Sequence, residues 1–229
     1  VVIALRPPPD WFVVDRYLAA AASAGIAALL VLNKCELERD AAADAALHAE
    51  FAAYAAAGYP CLACSARAGS GIETLLARLA GETAVLVGQS GVGKSSLVKR
   101  LVPDAIAATG ELVREEEGRH TTTASRLYDL PIVAGARATT PGHLIDSPGV
   151  RDFAPAIDRL ELRSLGFTEI ERLAGGCRFA DCQHMREPSC AVIQAVEAGT
   201  LHPRRYESYR RLRRLNDELR AAQGPGRKS

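Results

Sequence analysis

A glycine-rich segment near the middle of the chain has the spacing of a phosphate-binding loop. Residues 88–95 read G-x-x-x-x-G-K-S between a short apolar run and a predicted helix. Glycines let backbone N–H groups close around phosphate oxygens, and the helix amino terminus adds positive potential. We expect Lys94 to neutralise phosphate charge and act in catalysis, and the Ser95 hydroxyl to bind Mg²⁺. The predicted phosphate contacts are Gly88, Gln89, Ser90, Gly91, Val92, Gly93, Lys94, Ser95 and Ser96.

Two segments beyond this loop add a predicted magnesium shell and a candidate for water placement. The sequence D-S-P-G follows an apolar run, so we expect Asp146 to hold the Mg²⁺ shell and the Gly149 amide to meet the terminal phosphate. Alone the signal is weak, because Asp followed by Pro-Gly is a common turn. Among three consecutive threonines we favour Thr122 as a magnesium ligand, and a β-prone stretch is the alternative. His120 is our candidate for placing an attacking water, because Val150 follows Gly149 where Ras-like GTPases have a water-orienting glutamine; an exposed loop histidine is the alternative.

Two motifs predict recognition of a guanine base. The sequence N-K-C-E ends a predicted strand and is similar to N-K-x-D, whose carboxylate accepts the N1–H and N2–H₂ protons of guanine. Glu36 stands in place of the aspartate, and we expect base selection to survive this change but to be improvable. The sequence S-A-R after another strand is similar to S-A-K, although a plain strand-to-helix turn is the better interpretation of that tripeptide alone. The predicted base contacts are Asn33, Lys34, Cys35, Glu36, Ser65 and Ala66.

Three cysteines and one histidine near the carboxyl end follow the pattern C-x4-C-x-H-x5-C. Three thiolates and one imidazole suit a closed, tetrahedral, structural Zn²⁺ site with one ion per chain. Reduced, partly buried cysteines are the alternative, because the spacing differs from zinc-finger templates. Loss of the metal is expected to unfold the carboxyl-terminal region and leave nucleotide binding largely intact. The predicted ligands are Cys177, Cys182, His184 and Cys190, whereas Cys35, Cys61 and Cys64 are interpreted as small core residues on or beside strands.

The elements that must position these motifs alternate between strands and helices. We predict strands at 1–5, 26–32, 61–64, 84–87, 126–133 and 143–145, and helices from near 10, at 40–57, 72–79, 94–101 and 203–220. This alternation implies an α/β fold with a mostly parallel, doubly wound sheet. Residues 103–123 are interpreted as a mobile loop. Because the strand signal stops near residue 158, we assign residues 1–157 to a nucleotide domain and 158–229 to a small, mainly helical zinc domain.

The composition is that of an ordinary globular protein, with 48% hydrophobic and 24% charged residues among 229. The apolar runs are too short to span a bilayer and no leader opens the chain, so we expect a cytoplasmic protein without a membrane partner. The formal charge is only +1, but Arg and Lys outnumber Asp and Glu from residue 199 onward. The helix at 203–220 therefore presents either a solvated cationic face or a surface for RNA phosphates, and both remain open. Residues 221–229 are interpreted as a disordered tail.

The order of the motifs is permuted. In Ras-like GTPases the phosphate loop comes first and the base motifs last, whereas here the base motifs precede the phosphate loop. One sheet can contain the motifs in this order only if the original amino and carboxyl ends of the fold are joined and new chain ends are made at another position. Together with G-Q-S-G-V-G-K-S-S, G-R-H-T-T-T, D-S-P-G-V and the Cys/His cluster, the order closely resembles the ribosome small-subunit-dependent GTPase A family (RsgA, also called YjeQ).

The resemblance implies a circularly permuted, P-loop GTPase domain followed by a zinc domain with the four ligands named above. It implies hydrolysis of GTP to GDP and phosphate with Mg²⁺, late in maturation of the bacterial 30S ribosomal subunit, with 16S rRNA as partner. We expect a monomer. Family members also carry an amino-terminal OB-fold domain, which we expect to be absent from a chain that opens at Val1. Two alternatives remain: an ATP-using P-loop protein, and an RNA-binding scaffold that holds nucleotide with little turnover.

Overall fold

The chain folds into short strands that alternate with helices in its first two thirds and into helices after that. A computed structural model describes residues 1–37, 41–103, 126–136, 138–146, 160 and 164–223. The strands are β1 (Val2–Ile3), β2 (Leu30–Leu32), β3 (Cys61–Ala63), β4 (Thr83–Val85), β5 (Arg126–Asp129) and β6 (His143–Asp146). The helices are α1 (Trp11–Ser23), α2 (Ala41–Ala57), α3 (Ile72–Leu79), α4 (Lys94–Leu101), α5 (Thr168–Ala174), α6 (Ala191–Glu197) and α7 (Pro203–Gln223).

The strands form two three-stranded groups, in the orders β1-β2-β3 and β4-β6-β5. β1 is parallel to β2 and β4 is parallel to β6, whereas β5 runs antiparallel to β6. The Val2 N–H donates to the Val87 carbonyl over 2.7 Å, so β1 also borders the segment that follows β4. Because β4 and β6 are parallel, their carboxyl ends share one edge of the sheet.

Capping interactions explain both ends of α1. α1 begins after Asp10, whose carboxylate accepts hydrogen bonds from the N–H groups of Phe12 and Val13 at 3.0 and 3.3 Å. It ends in a Schellman motif, in which Gly25 has a φ of +68° and the Ile26 N–H donates to the Ala21 carbonyl over 2.8 Å. The predicted strand at 26–32 was therefore too long. Ile26 belongs to this helix cap and is 61% exposed, and the strand begins only at Leu30.

The chain divides into two compact units, and each is made of three chain segments. The strand unit consists of Val1–Pro9, Leu30–Glu38 and Leu62–Phe153, and the helical unit consists of Asp10–Leu29, Arg39–Cys61 and Ala154–Ser229. α1 and α2 thus belong to the same unit as α5, α6 and α7. The predicted domain boundary between residues 157 and 158 lies outside the described residues and stays a prediction, as does the loop predicted at 103–123 apart from its first residue. The disordered tail was predicted at 221–229, but α7 continues to Gln223, and residues 224–229 lie outside the described residues.

The strand unit has a core of aliphatic side chains from its strands and flanking helices. Buried members include Ile3, Leu30, Leu75, Leu97 and Leu144. The core fixes the strands whose carboxyl ends carry the predicted nucleotide motifs.

The helical unit has its own core. Its buried residues are Ala19, Leu160, Leu165, Phe167, Ile170, Cys182, Cys190, Val192, Ala195, Leu201, Tyr209 and Leu212. Gly166 has a φ of +78°, and a Cβ at this position would overlap the Ala19 carbonyl. Glycine therefore allows the turn before α5 to sit directly on α1. Within the described part of the chain, no helix combines the length and the hydropathy needed to cross a membrane.

Candidate functional site

The glycine-rich loop between β4 and α4 closes tightly against its neighbours. Gly88 has a φ of +147°, and a Cβ there would overlap the Val2 carbonyl, while a Cβ at Gly93 would overlap the Asn33 amide. Lys94 is the first residue of α4, and its ammonium donates to the carbonyls of Gly88 at 2.6 Å and Gln89 at 2.7 Å. The structure thus places this ammonium directly over the loop that the sequence predicts to hold phosphates.

Asn33 joins the two predicted base motifs to the phosphate loop. Its side chain is 1% exposed, and its amide N–H donates to the Val92 carbonyl over 3.0 Å. Its amide oxygen accepts from the Ala66 N–H over 3.1 Å. Three segments that are far apart in sequence are therefore held by one buried side chain, which would leave two unpaired polar groups if it were removed.

Lys34 makes the second connection to the phosphate loop. It has a left-handed φ of +64°, a conformation that costs a residue with a side chain about 1–2 kcal/mol. From this position its ammonium donates to the carbonyls of Gly91 at 2.6 Å and Arg6 at 2.8 Å. These charge-assisted hydrogen bonds offset the backbone strain. Lys34 therefore positions the loops rather than pointing into open solvent.

Glu36 is exposed beside the S-A-R segment. A hydrogen bond from the buried Ser65 hydroxyl lowers the pKa of this carboxyl below its ordinary value, although burial opposes the shift. The positive charges of Arg67 and Lys34 lower the same pKa further. The carboxylate is thus ionised at neutral pH, as an acceptor for two guanine N–H groups must be.

Cys35 and Cys64 line the same region. The Cys35 N–H donates to the Cys64 carbonyl over 3.1 Å, and the Cys35 sulfur lies 3.5 Å from the Ser70 hydroxyl oxygen. Cys64 is fully buried, and burial raises the pKa of its thiol to about 12. Both side chains pack between the loops that follow β2 and β3, which agrees with their interpretation as small packing residues.

Asp146 ends β6 at the same edge of the sheet as the phosphate loop. In the parallel pairing of β4 with β6, Val85 is opposite Ile145, so Asp146 lies one residue further toward Gly88. Its carboxylate and the exposed Ser95 hydroxyl offer oxygen ligands of the kind that Mg²⁺ prefers. Three predicted site residues, His120, Thr122 and Gly149, lie outside the described residues and stay predictions.

The four predicted metal ligands converge in the helical unit, where their ligand atoms all lie within 4.8 Å of one another. The Cys177 and Cys190 sulfurs are 3.8 Å apart, and the His184 Nδ1 lies 3.4 and 3.5 Å from them. A tetrahedral zinc ion with ordinary bond lengths requires edges of about 3.8 Å between sulfurs and about 3.6 Å between sulfur and nitrogen. The residues therefore fit a closed zinc site in both donor chemistry and spacing.

The loop that carries these ligands is held by a carboxylate and two tyrosines. Glu187 accepts hydrogen bonds from the N–H groups of Gln183 at 2.8 Å, Met185 at 2.8 Å and Arg186 at 2.9 Å. Burial opposes its ionisation, but these N–H groups lower the pKa of Glu187 to about 2. The hydroxyls of two α7 tyrosines, Tyr206 and Tyr209, donate to the His184 and Gln183 carbonyls at 2.7 and 2.8 Å. The ligand loop is thus docked on α7.

The arginines of α7 do not form the single cationic face that the sequence suggested as one possibility. Arg205 is 1% exposed and Arg213 is 6% exposed, so both are part of the interior of the helical unit. Arg211 and Arg214 are exposed. We call the buried group around the start of α7 the arginine cluster; its members are Asp15, Glu50, Tyr54, Glu169, Arg204 and Arg205.

Comparison with known proteins assigns the chain to a family. Residues 1–155, which include every nucleotide motif discussed above, match the family model described as RsgA GTPase. The chain belongs to the RsgA GTPase family. A curated relative, the small ribosomal subunit biogenesis GTPase RsgA of Azotobacter vinelandii (strain DJ), is 45% identical over 213 residues. That match covers 93% of this chain and 60% of the relative, so the chain spans about three fifths of the length of this relative.

Two solved structures share the fold of this RsgA-family chain. The crystal structure of YjeQ from Thermotoga maritima matches with a TM-score of 0.71 and 28% identity, covering 94% of this chain and 69% of that one. The crystal structure of YloQ, described as a circularly permuted GTPase, matches with a TM-score of 0.70 over 99% of this chain and 69% of that one, at 23% identity. The predicted α/β fold with a permuted motif order is therefore confirmed.

Two features of this RsgA-family chain could not be found by motif search. The members of the arginine cluster carry no spacing signal, since Asp15 and Arg204 are 189 residues apart. Glu187 offered a weak signal, because an acidic residue between two metal ligands with many nearby N–H groups is a typical loop anchor. Both features stabilise the surroundings of a predicted site rather than the site itself.

Proposed function

We propose that this chain binds GTP and hydrolyses it to GDP and phosphate during maturation of the small ribosomal subunit. The observation that supports it best is the pair of connections made by Asn33 and Lys34. They join the guanine motifs to the phosphate loop, so a single nucleotide would contact all of these segments at once. Membership of the RsgA GTPase family supports the same reaction.

Hydrolysis of GTP is the attack of water on the γ-phosphorus with departure of GDP, and it depends mainly on positioning and charge neutralisation. We assign Lys94 and the backbone N–H groups of the phosphate loop to the charge on the β- and γ-phosphates. Mg²⁺, with Ser95, Asp146 and Thr122 as its proposed protein ligands, would supply further neutralisation when bound. We assign Glu36 and the S-A-R segment to the base.

Placement of the water is assigned to His120, and contact with the γ-phosphate to the Gly149 amide. Both assignments come from the sequence. His120 is two residues from Thr122, the proposed magnesium ligand, and is therefore close enough in sequence to orient a water molecule beside the terminal phosphate. Slow hydrolysis by the chain alone and faster hydrolysis with a ribosomal partner follow from this assignment.

The proposed partner is the small ribosomal subunit with its 16S rRNA. In this proposal the protein binds the subunit as a monomer, in the bacterial cytoplasm. The relative from Azotobacter vinelandii is named as a biogenesis GTPase of that subunit. The zinc site has a structural part in this proposal, because three cysteines and one histidine complete a tetrahedron and leave no position for a substrate.

Phosphate release from GTP, measured with and without 30S subunits, tests the proposal. Lys94→Ala should lower turnover by about 100-fold or more, because a charge that acts on the transition state is lost. Lys99→Ala is the matched control, since Lys99 is exposed on the same helix, and it should keep full activity. Unchanged turnover in Lys94→Ala would refute the assignment. Tight GDP binding without turnover in the parent chain would favour the scaffold alternative, and preference for ATP would favour an ATP-using enzyme.

A further inference from the structure

The arginine cluster ties the start of α7 to the two helices of the amino-terminal half. The Arg205 guanidinium bonds to Asp15 on α1 at 2.5 Å and to Glu169 on α5 at 2.6 Å. The Arg204 guanidinium bonds to the other Asp15 oxygen at 2.6 Å and to Glu50 on α2 at 2.6 Å. Asp15 is 1% exposed, so its two ion pairs are buried and differ from the weak ion pairs of a protein surface.

A second set of contacts holds the carboxyl end of α2. The Thr168 hydroxyl, at the start of α5, donates to the Ala57 carbonyl over 2.9 Å. The Arg172 guanidinium donates to the same carbonyl over 3.0 Å and to the Ala56 carbonyl over 3.3 Å. The last carbonyls of a helix need such partners, so the end of α2 is completed by α5.

Contacts continue from the metal ligands to the arginine cluster. The His184 ring centroid is 6.0 Å from that of Tyr209, which is 5.8 Å from that of Phe167. The Arg205 guanidinium carbon lies 4.8 Å from the Phe167 ring centroid. Cys182 and Cys190 belong to the same buried core as Ala19 on α1. The ligand loop, α7 and α1 therefore share one packed interior, which responds as a whole when part of it loosens.

Along the chain, α1 and α2 flank the N-K-C-E motif but not the phosphate loop. The N-K-C-E motif after β2 is preceded by α1 and followed by α2, and both helices belong to the helical unit. The phosphate loop is preceded by β4 and followed by α4, and both belong to the strand unit. Order in the helical unit thus constrains the base motif from both sides along the chain.

We propose that zinc binding by Cys177, Cys182, His184 and Cys190 controls the affinity of the chain for the guanine base, through the order of α1 and α2. The inference rests on the proposed guanine-nucleotide function. It differs from the expectation drawn from the sequence, in which loss of zinc leaves nucleotide binding largely intact. By thermodynamic linkage, guanine nucleotide must also strengthen zinc retention by the same factor.

The first test needs no nucleotide. Trp11, the only tryptophan of the chain, lies on α1 with its ring 5.4 Å from the Arg204 guanidinium carbon. Removal of zinc with a chelator should change Trp11 fluorescence and speed amide hydrogen exchange in α1 and α2, while exchange in α3 and α4 stays slow. Restoring zinc should reverse both effects. Unchanged exchange in α1 and α2 in protein shown by metal analysis to be free of zinc would overturn the inference and leave the proposed function standing.

The second test compares two ligands of the same chain, GDP and inorganic pyrophosphate, in zinc-loaded and zinc-free protein. GDP affinity should fall by at least about fivefold on zinc removal, the lower end of typical coupling between sites. Pyrophosphate affinity should fall clearly less than GDP affinity, because pyrophosphate meets only the phosphate loop, whose flanking elements β4 and α4 belong to the strand unit. Equal losses for both ligands would overturn the inference, since they would report general unfolding. Failure of the zinc-loaded protein to bind GDP at all would instead contradict the proposed function.

Discussion

At the scale of single residues, the predicted base motif carries the longer side chain of Glu36 where the N-K-x-D pattern has aspartate. Ordering a glutamate side chain costs about 1.5–2 kcal/mol of rotamer freedom, more than an aspartate loses. The Ser65 hydroxyl bonds to the Glu36 carboxylate and lowers its pKa, which restricts that freedom before any base arrives. Ser65 is itself fixed, because its oxygen accepts from the Ala68 N–H over 2.8 Å.

Glu36→Ala should remove most of the preference for GDP over ADP, by at least about tenfold, because hydrogen bonds to a charged acceptor contribute about 1.5–3 kcal/mol each. Glu36→Asp should keep that preference or increase it. Competition of GDP and ADP against a fluorescent guanine nucleotide measures both variants. Glu73→Ala is the control, since Glu73 is exposed on α3 in the same unit and should leave the preference unaltered. If Glu36→Ala discriminates as well as the parent, residues 33–36 do not read the base.

At the scale of elements, α7 shows how a helix with many arginines can still place one stripe of its residues in the interior of the helical unit. Its buried residues follow one helical stripe and are Arg205, Ser208, Tyr209, Leu212, Arg213 and Asn216. The stripe recurs at the spacing of a packed helix face, but most of its members are polar or charged. A search for apolar periodicity therefore finds only part of this face. Burial of Arg205 depends on acidic partners that are distant in sequence, Asp15 and Glu169.

Arg205→Met should lower the free energy of unfolding of the helical unit by about 3–5 kcal/mol, because it removes the buried guanidinium that Glu169 and Asp15 share and leaves Asp15 paired with Arg204 but not with Arg205. Arg205→Lys should fall between Met and the parent, since an ammonium keeps the charge but lacks the planar fork that meets both Asp15 and Glu169. Denaturant titration followed by Trp11 fluorescence reports this unit directly. Arg214→Met, on the exposed side of α7, should change stability by less than about 0.5 kcal/mol. Equal losses of unfolding free energy in Arg205→Met and Arg214→Met would show that the arginine cluster adds no more stability than an exposed arginine.

At the scale of the whole molecule, the sequence predicted what depends on local spacing and missed what depends on distant partners. The phosphate loop, the metal cluster and the helices at 72–79 and 94–101 were predictable, because each is defined within a few neighbouring residues. The arginine cluster was not predictable, because Asp15 pairs with Arg204 and Arg205, which lie 189 and 190 residues further along the chain. The grouping of α1 and α2 with the carboxyl-terminal helices was missed for the same reason.

With a formal charge of only +1, the proposed attraction of the chain to RNA would have to come from local groups of cations. Exposed Arg211 and Arg214 on α7 are the candidates that burial leaves available. Replacing both with alanine should reduce the slope of log affinity for 30S subunits against log salt concentration by about 2, at roughly 0.9 for each phosphate that is no longer neutralised. Binding measured from low to near-physiological salt checks this, with Lys99→Ala as the exposed control. An unaltered slope would leave the cationic side of α7 as a solvated surface.

The separation of Asp15 from its partners also has a consequence for synthesis of the chain. Arg205 follows Asp15 by 190 residues, so α1 leaves the ribosome long before the guanidinium that neutralises the Asp15 carboxylate. At about 5–20 residues per second, the wait is roughly 10 to 40 s. During that interval α1 and α2 lack the partners that bury Asp15, so their apolar faces are accessible to chaperones and proteases. A nascent chain cut short before α7 would keep every nucleotide motif but could never complete the helical unit, so the arrival of α7 acts as a check that translation has passed well beyond those motifs.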